Sequence, residues 1–290
     1  MKKDFSSLVC PICKGEFLQH NPDKWVCVTC GYTVNLVEGK PFFNQTPQDI
    51  IPFQKSERGP EIGTPWRQAN WKFLHEQISK LSPGSKVLDV GAGRGDFADI
   101  LTAQNTLAVD VIPFPEVDII CDLTQCIPFK EASFDAVVLM NVLEHVFNTR
   151  DLLINTRSLL KPGGKLILTI PFLLKVHFSP YDFFRYTHHS LKKLLTEAGF
   201  EIQSLQGYYD PVFLIGESVR NISNYELSGR NRLQKVIIRA ILVIIQAAMS
   251  SLKPFLGNGR LIDPEAAKSP SAIGYLMVAS NPKAQENANG

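Results

Sequence analysis

The stretch Val87-Leu88-Asp89-Val90-Gly91-Ala92-Gly93-Arg94-Gly95-Asp96-Phe97 decides how this chain is read. Four residues of apolar strand character carry an acid at their third position, and three glycines on alternate positions follow at once. Glycines spaced in this way let the backbone turn sharply and let a ligand approach closer than a Cβ would allow. Asp96 to Ala103 read as a helix whose N-terminus faces the same ligand. The spacing is G-x-G-x-G, not the G-x-G-x-x-G of dinucleotide-binding turns.

Around this turn, apolar runs alternate with helical patterns. Thr106 to Val109 reads as a second strand ending at Asp110, and Val117 to Cys121 as a third ending at Asp122. Phe134 to Met140 is a fourth strand, apolar enough to be buried on both faces. Lys161 to Lys165 reads as a turn and Leu166 to Ile170 as the fifth strand. Helix Leu191 to Ala198, strand Phe200 to Ser204 and a last strand over Ala272 to Ala279 complete the series. Strands alternating with helices imply an α/β fold with a parallel sheet and right-handed crossovers. Ahead of the glycines, Trp66 to Leu81 places Ala69, Phe73, Leu74, Ile78 and Leu81 at helical spacing. Asn44 to Thr64 is rich in Pro, Gln and Gly and reads as a linker.

The first 43 residues differ in kind. Cys10-Pro11-Ile12-Cys13 and Cys27-Val28-Thr29-Cys30 form two C-x-x-C pairs on either side of a stretch that can make one hairpin. Facing knuckles of this type make a tetrahedral four-sulfur site, for which zinc is the default ion. Gly15 and Gly31 lie where such turns ask for positive φ. The module has too few apolar residues to fold without its metal. It therefore reads either as a structural clip or as a docking surface for substrate or partner.

Composition bounds the rest. The 290 residues allow one large domain and a small module, and the net charge of +2 gives no global field for nucleic acid. Paired cysteines suit a reducing, cytoplasmic setting. No secretory leader is read at the start, and residues 281–290 are polar enough to read as a disordered tail. Between about 207 and 270 lies an insertion. From Arg230 to Arg260 it carries six Lys or Arg and no acid, around an apolar core over Val236 to Met249. That core reads as too short and too interrupted to span a bilayer. Burial against the domain, a homodimer interface, or contact with an anionic membrane surface through residues 230–260 are the readings open to it.

Motif by motif, the chain resembles the class I S-adenosylmethionine (SAM) methyltransferases, and within them the type-11 methyltransferase domain. The glycine turn matches their first motif. Ile127-Pro128-Phe129, Ser133-Phe134-Asp135, Asn141-Val142-Leu143-Glu144-His145, Leu160-Lys161-Pro162-Gly163-Gly164 and Glu197-Ala198-Gly199-Phe200 match in order and spacing, from about Gly84 to Gln206. The resemblance implies a seven-stranded Rossmann-like sheet of order 3-2-1-4-5-7-6 with the last strand antiparallel. It implies SAM contacts from Asp89, Gly91, Gly93, Gly95, Asp110 (ribose), Asp122 (adenine) and Asn141. The segment from Cys27 to Phe43 is similar to the zinc ribbons of small tRNA-methyltransferase activator proteins. The expected division is a ribbon over 1–43, a linker over 44–64 and a methyltransferase domain over 65–280.

Two loops could act on a methyl acceptor. Glu144 and His145, after the fourth strand, are read as packing and hydrogen-bonding residues. The second loop, from His177 through Tyr181, Asp182 and Arg185 to Thr187, resembles a stretch found in methyltransferases of glycans and small metabolites. His177 is the expected base there. Asp182 and Arg185, three apart, are also placed to pair with each other. The expected reaction is methylation of an oxygen or nitrogen on a small molecule or glycan, lipid-linked acceptors included. A tRNA or rRNA methyltransferase is the alternative. Against it stand the near-neutral charge and the absence of an N/D-P-P-Y/F motif after the fourth strand. A non-catalytic SAM-binding scaffold is the third reading.

Overall fold

The computed structural model describes residues 3–43, 63–225, 229–256, 259–265 and 272–283. Apart from Gly63 and Thr64, the expected linker lies outside the described residues, as does the expected tail beyond Lys283. The chain opens with four short strands, β1 (Phe17–Asn21), β2 (Lys24–Cys27), β3 (Thr33–Val37) and β4 (Lys40–Phe42). Glu38 and Gly39 link β3 to β4 with φ of 52° and 76°, the paired positive values of a two-residue hairpin turn.

Helix α1 (Pro65–Ile78) begins with proline at its first position. The Thr64 side chain caps it, accepting the Arg67 N–H at 3.3 Å. Then follow β5 (Lys86–Val90), β6 (Asn105–Asp110), β7 (Ile119–Ile120), β8 (Phe134–Met140), α2 (Thr149–Leu159), β9 (Leu160–Pro171), α3 (His188–Glu197) and β10 (Glu201–Tyr209). The insertion supplies α4 (Pro211–Tyr225), α5 (Arg232–Leu256) and β11 (Arg260–Ile262), and β12 (Gly274–Ser280) closes the sheet.

All described strands join one sheet, ordered β1-β2-β3-β4-β7-β6-β5-β8-β9-β12-β10-β11. Count and order thus differ from the seven-stranded expectation, because strands are added at both edges. The expected succession lies inside it as β7-β6-β5-β8-β9-β12-β10, with β12 antiparallel to both β9 and β10. β11 extends one edge by pairing with β10. At the other edge β4 pairs parallel to β7. The four N-terminal strands thereby cover the backbone groups that β7 would otherwise leave open.

Period-2 alternation sorts the core into two faces. Val87, Ala136, Val138, Ile167, Leu276 and Val278 pack with Trp66, Phe73 and Leu74 of α1. Leu88, Val137, Leu139, Leu168, Tyr275 and Met277 pack with Leu152 and Leu153 of α2 and Leu191 and Leu195 of α3. Phe134 breaks the alternation and joins the second face, because the β8–β9 register shifts between Phe134 and Ala136.

Three local expectations change. Residues 93–103 form consecutive turns closed by i→i+3 bonds, such as Ile100 N–H to Phe97 O and Leu101 N–H to Ala98 O, in place of the helix read over Asp96 to Ala103. Asp96 and Asp99, three apart, are both drawn to α1. Arg67 Nη1 meets Asp96 at 3.0 Å and Trp71 Nε1 donates to Asp99 at 3.2 Å, which favours three residues per turn over 3.6. The third domain strand is only Ile119–Ile120. The Lys161–Lys165 turn is absorbed into β9, where Gly163 takes φ +80° and donates to Asn281 O at 2.8 Å.

Candidate cofactor and acceptor site

The glycine turn leaves the C-terminal end of β5 with φ of +71°, +54° and +67° at Gly91, Gly93 and Gly95. Each glycine has a different reason. A Cβ on Gly91 would lie 2.5 Å from Val142 Cγ2, so the turn presses directly on the segment after β8. A Cβ on Gly95 would meet Glu116 at 3.2 Å. Gly93 faces open space, its nearest neighbour being Gly91 O at 4.0 Å. That space forms an open cradle at the end of β5.

Asp110 closes the cradle from the next strand. Its Oδ2 accepts the Gly93 N–H and its Oδ1 the Ile112 N–H, both at 2.9 Å. Burial raises its pKa, while the Ile112, Gly93 and Val111 N–H bonds pull it back. Asp89 lies buried within β5. Burial, then the neighbouring Asp110 and Asp118, push its pKa up to about 7, with Lys3 acting the other way. Asp122 is turned into its own loop, accepting from Thr124 N–H, Thr124 Oγ1 and Gln125 Nε2.

Asn141, directly after β8, holds φ +55°, a left-handed conformation that the sequence did not announce. Its Oδ1 accepts from Trp66 Nε1 at 3.1 Å and Asn70 Nδ2 at 3.4 Å. The start of α1 is thereby tied to the end of β8 beside the glycine turn. Trp66 and Asn70 were not among the expected site residues. Their buried pairing with Asn141 spans more than 70 positions and leaves no local signature.

The second expected loop lies against the Asn141–His145 segment. Phe183 N–H donates to the Glu144 backbone oxygen at 2.8 Å, and Tyr181 O receives His145 Nδ1 at 2.8 Å. Arg185 grips Asp182 through Nη1 and Nη2, and also reaches the backbone oxygens of Leu174 and Lys175. The expected Asp182–Arg185 pair is therefore present. Burial would raise the Asp182 carboxyl, but the Arg185 bonds, the His177 N–H and the neighbouring charges hold it down at about 2. His177 places Nδ1 3.2 Å from Asp182 Oδ2 and turns Nε2 towards Glu144 Oε1 at 3.8 Å. Burial lowers the pKa of His145. Glu144, read in sequence as a hydrogen-bonding residue, is fully buried with no hydrogen-bond partner for either carboxylate oxygen.

At the N-terminus the ligand atoms of Cys10, Cys13, Cys27 and Cys30 lie within 4.8 Å of one another. Cys10 and Cys30 sulfurs are 3.6 Å apart, and Cys13 and Cys27 sulfurs 3.4 Å. Four sulfurs about 2.3 Å from a tetrahedral zinc are about 3.8 Å apart, so the donor set fits that ion. Positive φ falls at the residue after each second cysteine, Lys14 at 60° and Gly31 at 75°. Gly15 serves another end, since a Cβ there would meet Thr29 Oγ1 at 2.5 Å.

Residues 66–205 match the family model for a methyltransferase domain. A probable S-adenosylmethionine-dependent methyltransferase of Mycolicibacterium smegmatis is 25% identical over 157 residues, covering 48% of this chain and 60% of that protein. The tRNA U34 carboxymethyltransferase of Trichlorobacter lovleyi is 34% identical over 129 residues, 38% of this chain and 39% of that one. Among solved structures, phosphoethanolamine N-methyltransferase 2 of Haemonchus contortus in complex with S-adenosyl-L-methionine aligns with 74% of this chain and 53% of its own, at 16% identity and TM-score 0.45. The chain thus spans about half the length of these relatives. Residues 66–205 are similar to a methyltransferase domain, and a probable S-adenosylmethionine-dependent methyltransferase is among the relatives they resemble.

Proposed function

We propose that this chain transfers the methyl group of SAM to an oxygen or nitrogen of a small molecule or glycan presented at an anionic membrane surface. The glycine cradle with Asp110 locked to the Gly93 N–H supports the cofactor half of this reading. SAM supplies an electrophilic methyl on a sulfonium, and the transfer is an in-line displacement that leaves a neutral thioether. The chain's part is to align the acceptor, exclude water and take up the acceptor's proton where it carries one. Gly93 gives the cofactor room, Gly91 and Gly95 shape the turn around it, and Asp89, Asp110, Asp122 and Asn141 are its polar contacts. Tyr181, Asp182 and Arg185 hold the acceptor loop in shape, and acceptor activation is assigned to the cluster built around His177.

One observation carries the membrane half. Helix α5 exposes Leu233, Val236, Ile237, Ile241, Val243, Ile244 and Phe255, with Ile244 67% and Phe255 84% accessible. Leu242 turns inward and is buried. Arg232, Lys235, Arg239, Gln246 and Ser250 run in three- and four-residue steps, with one gap, beside the exposed apolar face. An apolar arc flanked by a polar stripe that is basic over its first turns suits a helix lying in the plane of an anionic interface. Beneath it, Pro65 at the start of α1, Phe213 and Glu217 of α4, and Gln246 and Met249 of α5 line a cleft of about 510 Å³. The enzyme is cytoplasmic and peripheral on this reading. The four cysteines hold a structural zinc ribbon.

Incubating the protein with methyl-labelled SAM and a cell extract, then separating lipid, glycan, small-molecule and RNA fractions, tests this. Label in lipid, glycan or small molecules supports the proposal, and His177→Ala then lowers the rate about 10²–10⁴-fold if the acceptor is a hydroxyl. The second reading is tRNA, which the carboxymethyltransferase relative favours. Label confined to RNA would establish it and overturn the first.

A further inference from the structure

We propose that Glu144, His145 and His177 form a binding site for one divalent transition-metal ion, separate from the four-cysteine site. The ligand atoms of the three residues lie within 4.8 Å of one another. His145 Nε2 stands 3.7 Å and His177 Nε2 3.8 Å from the same oxygen, Glu144 Oε1. These separations are too long for hydrogen bonds. They are close to the spacing of about 3.4 Å between two ligand atoms that each sit about 2.1 Å from a tetrahedral ion. The two rings meet edge to face, centroids 4.8 Å apart and planes at 83°, so their nitrogens reach Glu144 from different directions.

The other ring nitrogens fix the tautomers. His145 Nδ1 contacts the Tyr181 backbone oxygen at 2.8 Å, an atom that can only accept. His177 Nδ1 contacts the Lys175 backbone oxygen at 3.4 Å and lies 3.2 Å from Asp182 Oδ2, a carboxylate that Arg185 holds ionised, so acceptors alone face it. Both Nδ1 atoms therefore donate, and both neutral rings present the Nε2 lone pair inward. Metal-binding histidines are set in this way, with the far nitrogen bonded to a carbonyl or carboxylate.

Glu144 is the independent sign. Its side chain is fully buried, and neither oxygen has a hydrogen-bond partner. A polar group left so in the interior is costly, and an ion bound by both imidazoles removes that cost. Two histidines and one carboxylate leave coordination positions open for an exogenous oxygen. On the methyl-transfer reading proposed above, that oxygen is an acceptor hydroxyl. The ion favours loss of its proton to solvent and leaves the oxygen free to attack the methyl carbon. The acceptor class is then a hydroxyl, and His177 acts on its proton through the ion.

Manganese is the probe, because thiolates bind it poorly and the cysteine site does not compete. The full chain, loaded with zinc at its four cysteines and gel-filtered into metal-free buffer, is titrated with Mn²⁺ while free ion is followed by electron paramagnetic resonance. Wild type is expected to take up one Mn²⁺ per chain and to melt at a higher temperature with the ion present. Glu144→Gln, which keeps the side chain's shape, is expected to lose both the uptake and the shift. Asp182→Asn is expected to weaken binding about 10–100-fold. If Glu144→Gln fails to fold, His177→Ala, at a partly exposed side chain, provides the same comparison. Absence of Mn²⁺ uptake by wild type, or equal uptake by the variants, overturns the proposal. Uptake is read without turnover, so failure to methylate any acceptor leaves this result standing.

Discussion

Gly93 is the residue at which backbone and ligand demands coincide. Its φ of +54° is one that a β-branched side chain adopts only under strain, and its missing Cβ faces the cradle. Gly93→Val is therefore expected to abolish SAM binding in calorimetry. Asp110→Ala, which removes the carboxylate that accepts the Gly93 N–H, should cost about 1.5–3 kcal/mol of SAM binding. Unchanged affinity in both would remove this turn from the cofactor site. Asp89 gives a pH signature. Its pKa is raised to about 7, so between pH 4 and 7 the folded state holds a proton that the unfolded chain has released. Its contribution to stability consequently falls as pH rises across that window and stays flat above it, a penalty on the order of 4 kcal/mol at most. In SAM-free protein, the melting-temperature advantage of Asp89→Asn over wild type should grow from pH 4 to 7 and then level off. An advantage independent of pH would show that Asp89 is not the group responsible. At this scale sequence reads well what one residue type alone supplies. Positive φ calls for glycine, and a carboxylate three before an arginine pairs with it. It reads badly what depends on residues far apart, such as Asn141 at positive φ beneath Trp66, or a Glu144 carboxylate whose neighbours arrive from a loop over 30 positions later.

Among the elements, β8 was legible to its end residues, because a run of apolar residues bounded by acid and amide has few other folds open to it. The segment after the glycines was not. Its apolar spacing suited a helix, but the ties from Arg67 and Trp71 to Asp96 and Asp99 wind it more tightly. Helix α5 was misjudged in length. The apolar stretch looked too short to cross a bilayer, yet the helix runs from Arg232 to Leu256. Its Arg232–Leu252 portion is long and apolar enough to span by length and composition. The basic positions at Arg232, Lys235 and Arg239 look like interruptions along the sequence, but on a helix they gather beside the apolar face. On the interfacial reading, each cation near an anionic leaflet contributes about 1 kcal/mol. Reversing these three charges should therefore abolish sedimentation with anionic vesicles at low salt while leaving SAM affinity unchanged. A wild-type protein that ignores such vesicles and elutes as a stable dimer would instead assign the apolar arc to a second copy of the chain.

Across the whole molecule, the N-terminal cysteine module is joined to the large α/β domain rather than tethered to it. Phe42 pairs with Ile120, Leu8 bridges Phe129, and Val9 N–H donates to Pro128 O at 2.9 Å. Lys40 Nζ reaches the backbone oxygens of Phe114 and Pro115, and Lys3 pairs with Asp118 at 2.9 Å. Leu8, Val34 and Phe43 share one buried cluster with Leu107, Ile119 and Phe129. None of this was visible in the cysteine spacing, which specifies a knuckle but not the surface on which it rests. Its consequence is cooperative. If zinc is what folds the module, losing it withdraws apolar cover from the β7 edge and exposes that strand's backbone. Cys27→Ser with Cys30→Ser should then lose the one zinc per chain in elemental analysis. It should also lower the melting temperature of the entire protein in a single transition, as the shared core requires. The same shift should follow strong chelation of wild type. Two separate transitions, with the SAM-responsive one unmoved, would show that the shared core does not couple the module to the domain and would return it to the role of a docking appendage.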